Sequence, residues 1–165
     1  MSSSVLAFLL SGAAFYLHSY LRAKSEEENL GSLVSYQGSC HCKKIHFTVQ
    51  APKLLTVWVC NCSICDMKKN YHFIVNSKNF YLDRGHDNIT EYTFNTGVAK
   101  HKFCATCGIC SFYHPRSNPD GIAITLSCLD NYQELIPSNR IRYNTFDGIN
   151  WESYIDNSGI NVYSK

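Results

Sequence analysis

The rhythm of apolar and polar residues changes twice along this chain. Residues 5–21 contain no Asp, Glu, Lys or Arg and predict an N-terminal hydrophobic helix. Residues 25–32 are polar and acidic and read as a linker. From Val34 onward the apolar residues take a period of two. Ile45, Phe47 and Val49 alternate with polar neighbours, and Leu55, Val57 and Val59 run straight into Cys60. That period marks half-buried strands. Residues 71–75, 80–82, 89–94, 100–103, 111–113, 122–126 and 140–146 predict further short strands. Turn residues separate them at 76–79, 83–85, 95–97 and 117–121. Many short strands between regular turns predict a mainly β, antiparallel domain over residues 34–152, preceded by segment 1–33 and followed by a C-terminal tail at 153–165.

Residues 5–21 number 17, the lower limit for a membrane span, and Arg22 and Lys24 follow them. Three readings stand for this segment: an anchor, a cleaved signal, or a helix packed on the domain. As an anchor it would give membrane association. Arg22 and Lys24 would then leave the domain on the cytoplasmic side. The expected location of the domain is the cytoplasm or nucleus.

At 165 residues the chain can bury about 68–70% of its unfolded surface, so it needs no disulfides to stand in for a core. Its net charge of +2 excludes a strong global drive toward nucleic acid. The unusual count is nine cysteines. They fall at 40 and 42, at 60, 62 and 65, and at 104, 107 and 110, with Cys128 alone. Such close spacing aims thiolates at an ion rather than at each other, and all-sulfur sets of this kind favour zinc. Two partitions are open on spacing. In one, Cys40, Cys42, Cys104 and Cys107 close a structural site, and Cys60, Cys62 and Cys65 leave one position of a second site open. In the other, Cys40, Cys42, Cys60 and Cys62 face Cys65, Cys104, Cys107 and Cys110 as two closed sites.

The runs Gly38-Ser39-Cys40-His41-Cys42, Cys60-Asn61-Cys62-Ser63-Ile64-Cys65 and Phe103-Cys104-Ala105-Thr106-Cys107-Gly108 resemble the glutathione-dependent formaldehyde-activating enzyme (GFA) family. Thr93 to Thr96, Ser111 to Tyr113, Pro115 to Pro119 and Cys128 to Asp130 resemble its centromere protein V-like branch. The resemblance implies a β-tent fold with two zinc ions per chain. It implies a structural zinc on Cys40, Cys42, Cys104 and Cys107, and a second zinc on the catalytic Cys60, Cys62 and Cys65. It further implies a carbon–sulfur lyase that forms or cleaves S-hydroxymethylglutathione, with glutathione or its aldehyde adduct as partner. The alternative it leaves is a non-catalytic scaffold or glutathione-binding protein of the centromere protein V type.

Cys110 lies outside the family's ligand positions and reads as a small buried hydrophobe, and Cys128 as a core or rim residue. His41 reads as solvent-facing. His72 and Tyr71 follow the three-cysteine cluster and offer either strand-interior side chains or a proton shuttle. The basic pairs Lys43-Lys44 and Lys68-Lys69, with Lys100-His101-Lys102, read as solvated faces, or as holders of the glutathione carboxylates if they converge. Asn88-Ile89-Thr90 is a glycosylation sequon, relevant only to a secreted domain.

Overall fold

Period-two alternation forces a sheet to present two faces, and here both faces are apolar. The computed structural model describes residues 3–165, with side chains from residue 15 onward. Ten strands are present among the described residues. β1 (Leu33–Ser39), β2 (His46–Pro52) and β5 (Phe80–Arg84) form a three-stranded sheet. β3 (Leu55–Cys60), β4 (Tyr71–Asn76), β6 (Ile89–Tyr92), β7 (Lys100–Cys104), β8 (Phe112–His114), β9 (Gly121–Thr125) and β10 (Ile141–Phe146) form a seven-stranded sheet in the order β10-β3-β4-β9-β8-β7-β6.

One face of the larger sheet presents Val57, Phe73, Val75, Phe112, Ile122 and Ile124 to the main core. There they meet Phe47, Val49 and Ala51 of β2, all with no exposed surface. Phe47, Phe80 and Phe112 pack as an aromatic trio with ring centroids 4.7 to 6.0 Å apart. The alternate residues Trp58, Ile74, Tyr113 and Ala123 belong to a second cluster, which Phe146 and Ile160 complete.

The expected antiparallel domain is corrected at one place. β10 runs parallel to β3, pairing Ile141 with Leu55 through to Phe146 with Cys60. A parallel neighbour needs a long crossover. The segment between β9 and β10 supplies it, and it contains the short helix α3 (Tyr132–Leu135; α1 and α2 are placed below). Leu135 anchors the crossover in the main core.

The chain divides into two compact units, residues 1–32 and Leu33–Lys165. The first is the helix α1 (Ser3–Gly31), and the expected linker at 25–32 continues it as far as Gly31. Glu, Leu, Lys and Ala are good helix formers and nothing before Gly31 breaks the run. Arg22 and Glu26 pair one turn apart at 3.0 Å. Among the described residues no helix is long and apolar enough to cross a membrane. The side chains of residues 5–14 in the expected hydrophobic segment 5–21 lie outside the described residues.

Two helices of the second unit were not expected from the pattern, because each is too short to show a period. α2 (Ser63–Lys68) carries Cys65, the last member of the second cysteine cluster, and α4 (Trp151–Ser158) follows β10. The residues expected as a tail, 153–165, also pack on the domain. Ile160 and Ser164 are buried. The buried Asn118 donates to the Ile160 carbonyl at 3.0 Å and to Ser164 Oγ at 2.9 Å. Asn76 donates to the Ser164 carbonyl, and Tyr163 packs edge-on against Trp58 with centroids 5.6 Å apart. Ending the chain after Ser158 uncovers Ile160's pocket and leaves Asn118 buried without partners. We expect a loss of about 3–5 kcal/mol of stability, read from urea unfolding of the truncated chain.

Candidate functional site

Two groups of sulfur atoms form where strands end. Cys40 follows β1, and the tight turn through Cys42 and Lys43 (φ 63°) folds back toward Ile45. Cys104 ends β7, and a second turn carries Cys107 and Gly108 (φ 74°). These four thiols lie within 4.8 Å of one another. Cys42 Sγ is 3.6 Å from both Cys40 Sγ and Cys104 Sγ. A tetrahedron with metal–sulfur bonds of about 2.3 Å has edges of about 3.8 Å, so the set fits one soft cation. Its N–H environment fits thiolates as well. The Ile45 amide donates to Cys40 Sγ at 3.3 Å, and Asn88 Nδ2 donates to Cys104 Sγ at 2.9 Å. The sequon asparagine thus has a different use: its side chain holds a cysteine of the cluster.

Cys60 ends β3, Cys62 sits at the cap of α2, and Cys65 lies in its first turn. One turn of helix suffices to bring all three sulfurs within 4.8 Å of one another. Among the described residues no fourth His, Cys, Asp or Glu joins them. Crowding three thiols sets them in competition for protons. Hydrogen bonds from Cys60 and then Cys65 hold Cys62 down toward the thiolate. The hydrogen bond with Cys62 pushes Cys60 up to about 11, and those with Cys60 and then Cys62 push Cys65 up. A cation relieves this competition by taking all three as thiolates.

The alternative partition of the cysteines does not form, because Cys60, Cys62 and Cys65 sit together and apart from the other four. Cys110 joins neither group. It is half-buried, and its thiol points to the Phe112 carbonyl at 3.8 Å. Burial pushes it up, and the Lys68 ammonium opposes that shift. Cys128 is half-buried and packs against the main core. His41 is exposed and belongs to neither group.

The three-sulfur group opens into a cavity of about 410 Å³. His72, His101 and Tyr113 line it from the sheet, Phe94 from the loop after β6, and Arg116 and Trp151 from the opposite rim. Tyr71 turns the other way. It is 44% exposed and packs against Tyr143, so of the expected pair only His72 reaches the cavity. His72 Nδ1 lies 3.4 Å from the Asn70 carbonyl, and its Nε2 lies 3.0 Å from the Tyr113 hydroxyl. A carbonyl only accepts, so Nδ1 carries the proton and Nε2 accepts from Tyr113. Burial holds His72 down at about 4 and holds Tyr113 well above its usual range. His101 stacks on Tyr113 with centroids 4.9 Å apart, and its Nδ1 is buried with no partner.

The backbone of the loop after β10 closes one wall. A Cβ at Gly148 would stand 2.5 Å from Cys60 Sγ and 2.6 Å from Cys62 Cβ, so only glycine lets the loop approach this closely. Asn61 pins the loop by donating to Asp147 Oδ1 at 3.1 Å and accepting from the Ile149 amide at 3.0 Å. Asn61 sits inside the cysteine motif, yet its role is visible only when residue 148 is beside it. Tyr113 and Arg116 lie in runs that the sequence singled out without a role, while Gly148 and Trp151 were hidden, because each of the four comes from a different element.

The sequence profile described as glutathione-dependent formaldehyde-activating enzyme matches residues 35–145. The crystal structure of a Rhodobacter sphaeroides protein, solved as a structural-genomics target, is similar in fold with a TM-score of 0.55. The two are 29% identical, over 66% of this chain and 99% of that one. The profile spans both sulfur groups and the His72–Tyr113 pair that stands over the second of them. The chain therefore belongs to the family of glutathione-dependent formaldehyde-activating enzymes.

Proposed function

We propose that this chain joins the thiol of glutathione to an aldehyde carbon, or reverses that step, as a zinc-dependent carbon–sulfur lyase. The observation that carries the proposal is the difference between the two sulfur groups. One has four thiols and is complete, while the other has three and opens into a cavity. A four-ligand set is the mark of a structural site, and a three-ligand set with room beside it is the mark of a reactive one. We assign a structural zinc to Cys40, Cys42, Cys104 and Cys107, and a second zinc to Cys60, Cys62 and Cys65. Zinc in the second site supplies a soft Lewis acid that favours the thiolate form of an incoming thiol near neutral pH. We read the two-sheet arrangement as the β-tent, and the runs from Thr93 to Asp130 as those of the centromere protein V-like branch. Nine free cysteines suit a reducing compartment such as the cytoplasm or nucleus.

The chain's own residues handle the proton. In the forward direction a carbon–sulfur bond forms, the carbonyl π pair moves onto oxygen, and the thiol proton ends on that oxygen. The Tyr113 hydroxyl lies 3.0 Å from His72 Nε2, and both side chains line the cavity. Tyr113 passes the thiol proton to His72 and then returns one to the new hydroxyl. The Asn70 carbonyl holds His72 in the tautomer that can accept. Because burial lowers His72 to about 4, the imidazole is neutral at pH 7, so its Nε2 is open to a proton from Tyr113. Phe94 and Trp151 limit water around the reacting atoms.

Three outcomes are expected. Purified protein carries two zinc ions per chain by metal analysis. Cys104→Ser unfolds the unit Leu33–Lys165, because a structural zinc contributes on the order of 10 kcal/mol, whereas Cys62→Ser loses one zinc and stays folded. One zinc in the wild type, or a folded Cys104→Ser protein, defeats the assignment.

In cobalt-substituted protein, glutathione intensifies the sulfur-to-metal charge-transfer band. Cys62→Ser abolishes that response and Cys110→Ser preserves it. Tyr113→Phe keeps the spectral response and loses about 10²-fold in kcat. A silent spectrum in the wild type rejects thiol binding at this site, and full turnover by Tyr113→Phe rejects the relay.

The neutral His72 also ties stability to pH. Unfolded, it takes a proton near 6.5, but folded only near 4. Between those values the unfolded chain binds more protons, so stability is complete above pH 6.5 and falls as the pH drops toward 4. The His72 share of that loss is about 3 kcal/mol. Urea midpoints of His72→Gln should fall less between pH 7 and pH 4.5 than those of the wild type. Thiolate protonation acts on both proteins alike.

A further inference from the structure

We infer that Arg116 is a receptor for a carboxylate of the thiol substrate. This rests on the reading that the three-sulfur cavity takes a thiol. Among the described residues, Arg116 is the only Lys, Arg, Asp or Glu that lines the cavity. The floor of the cavity is the Cys60, Cys62 and Cys65 group, whose thiolates outweigh the charge of one divalent ion. An anionic thiol entering over that floor is repelled unless a fixed cation pairs with it.

Of the basic clusters of the sequence only His101 lines the cavity; Lys68 acts on His101 and Cys110 from outside the lining, and four other lysines are bonded elsewhere. Lys43 is bonded to Ser39 and Asp130, Lys44 to Thr106, Lys69 to Asp66 and Lys102 to Glu91. None of them lines the cavity.

Arg116 is built to present its fork. Its Cζ lies 3.6 Å from the centre of the Trp151 ring, which sets the plane of the guanidinium. Nη2 donates to Glu152 Oε1 at 2.7 Å. The Arg116 side chain is 30% exposed and that of Glu152 is 75% exposed, so this bond sits at the rim, in reach of solvent and ligand. Glu152 shows that a carboxylate fits against this edge of the guanidinium. It also orients Arg116 in the free protein and competes with the incoming carboxylate for it. Glutathione carries two carboxylates besides its thiol, and the thiol must reach Cys60, Cys62 and Cys65 while one carboxylate reaches Arg116.

The test is calorimetric titration of the full-length, zinc-loaded protein with reduced glutathione and, separately, with its diethyl ester, which keeps the thiol and loses both negative charges. Wild type should prefer glutathione over the ester. Arg116→Gln should weaken glutathione by about 10- to 100-fold and leave the ester within about twofold, removing the preference. Glu152→Gln removes the competitor, so it should tighten glutathione severalfold and leave the ester unchanged. This second variant guards against Arg116→Gln merely disturbing the loop. The inference is overturned if the wild type binds both forms equally, if Arg116→Gln weakens both by the same factor, or if Glu152→Gln leaves glutathione binding unchanged. Wild-type protein that binds neither form overturns the thiol reading of the cavity itself.

Discussion

A seven-stranded sheet with apolar side chains on both faces must be covered twice. Val57, Phe73, Phe112 and Ile124 are covered by the three-stranded sheet. Trp58, Ile74, Tyr113 and Ala123, pointing the other way from the same strands, need a different cover. Among the described residues no further sheet supplies it. The segment after β10 does, through Phe146, Trp151, Tyr154 and Ile160. That cover is irregular, and the space it leaves beside the strand ends is the cavity over Cys60, Cys62 and Cys65. The site is thus a consequence of how the second face is closed.

The two sulfur groups follow the same division. Cys40, Cys42, Cys104 and Cys107 all pack with the main core, where two turns from distant parts of the chain meet. A site there is completed by its own four ligands. Cys60 packs with the second cluster, under the irregular cover, and its group has a side facing the cavity. Closure against one face and openness at the other suit a structural role and a chemical role respectively.

Polar groups near the open site are kept neutral or singly charged by the same burial. His72 lies between the Asn70 carbonyl and the Tyr113 hydroxyl, so its tautomer follows from its surroundings. Arg116 sits at the rim, over Trp151, with Glu152 beside it. Placing the proton-handling pair deep and the charged group at the edge avoids burying an unpaired cation, which costs several kcal/mol.

The strand pattern and both sulfur groups were legible in the amino-acid order. Alternation over residues 45–49 and 55–59 is a local property of the backbone, and closely spaced cysteines carry their chemistry with them. The resemblance of the three cysteine runs also favoured the grouping that the fold forms. Several features were beyond any local pattern. The parallel pairing of β10 with β3 depends on a crossover whose anchor, Leu135, is one apolar residue among many. The docking of residues 153–165 depends on Asn118 and Asn76, which lie more than thirty residues away. The cavity wall depends on Gly148 meeting Cys60. A sequence reports what each residue prefers beside its neighbours. Which side chains share a cavity is decided when segments distant in the chain bury their surfaces together, and only the tertiary structure sets that.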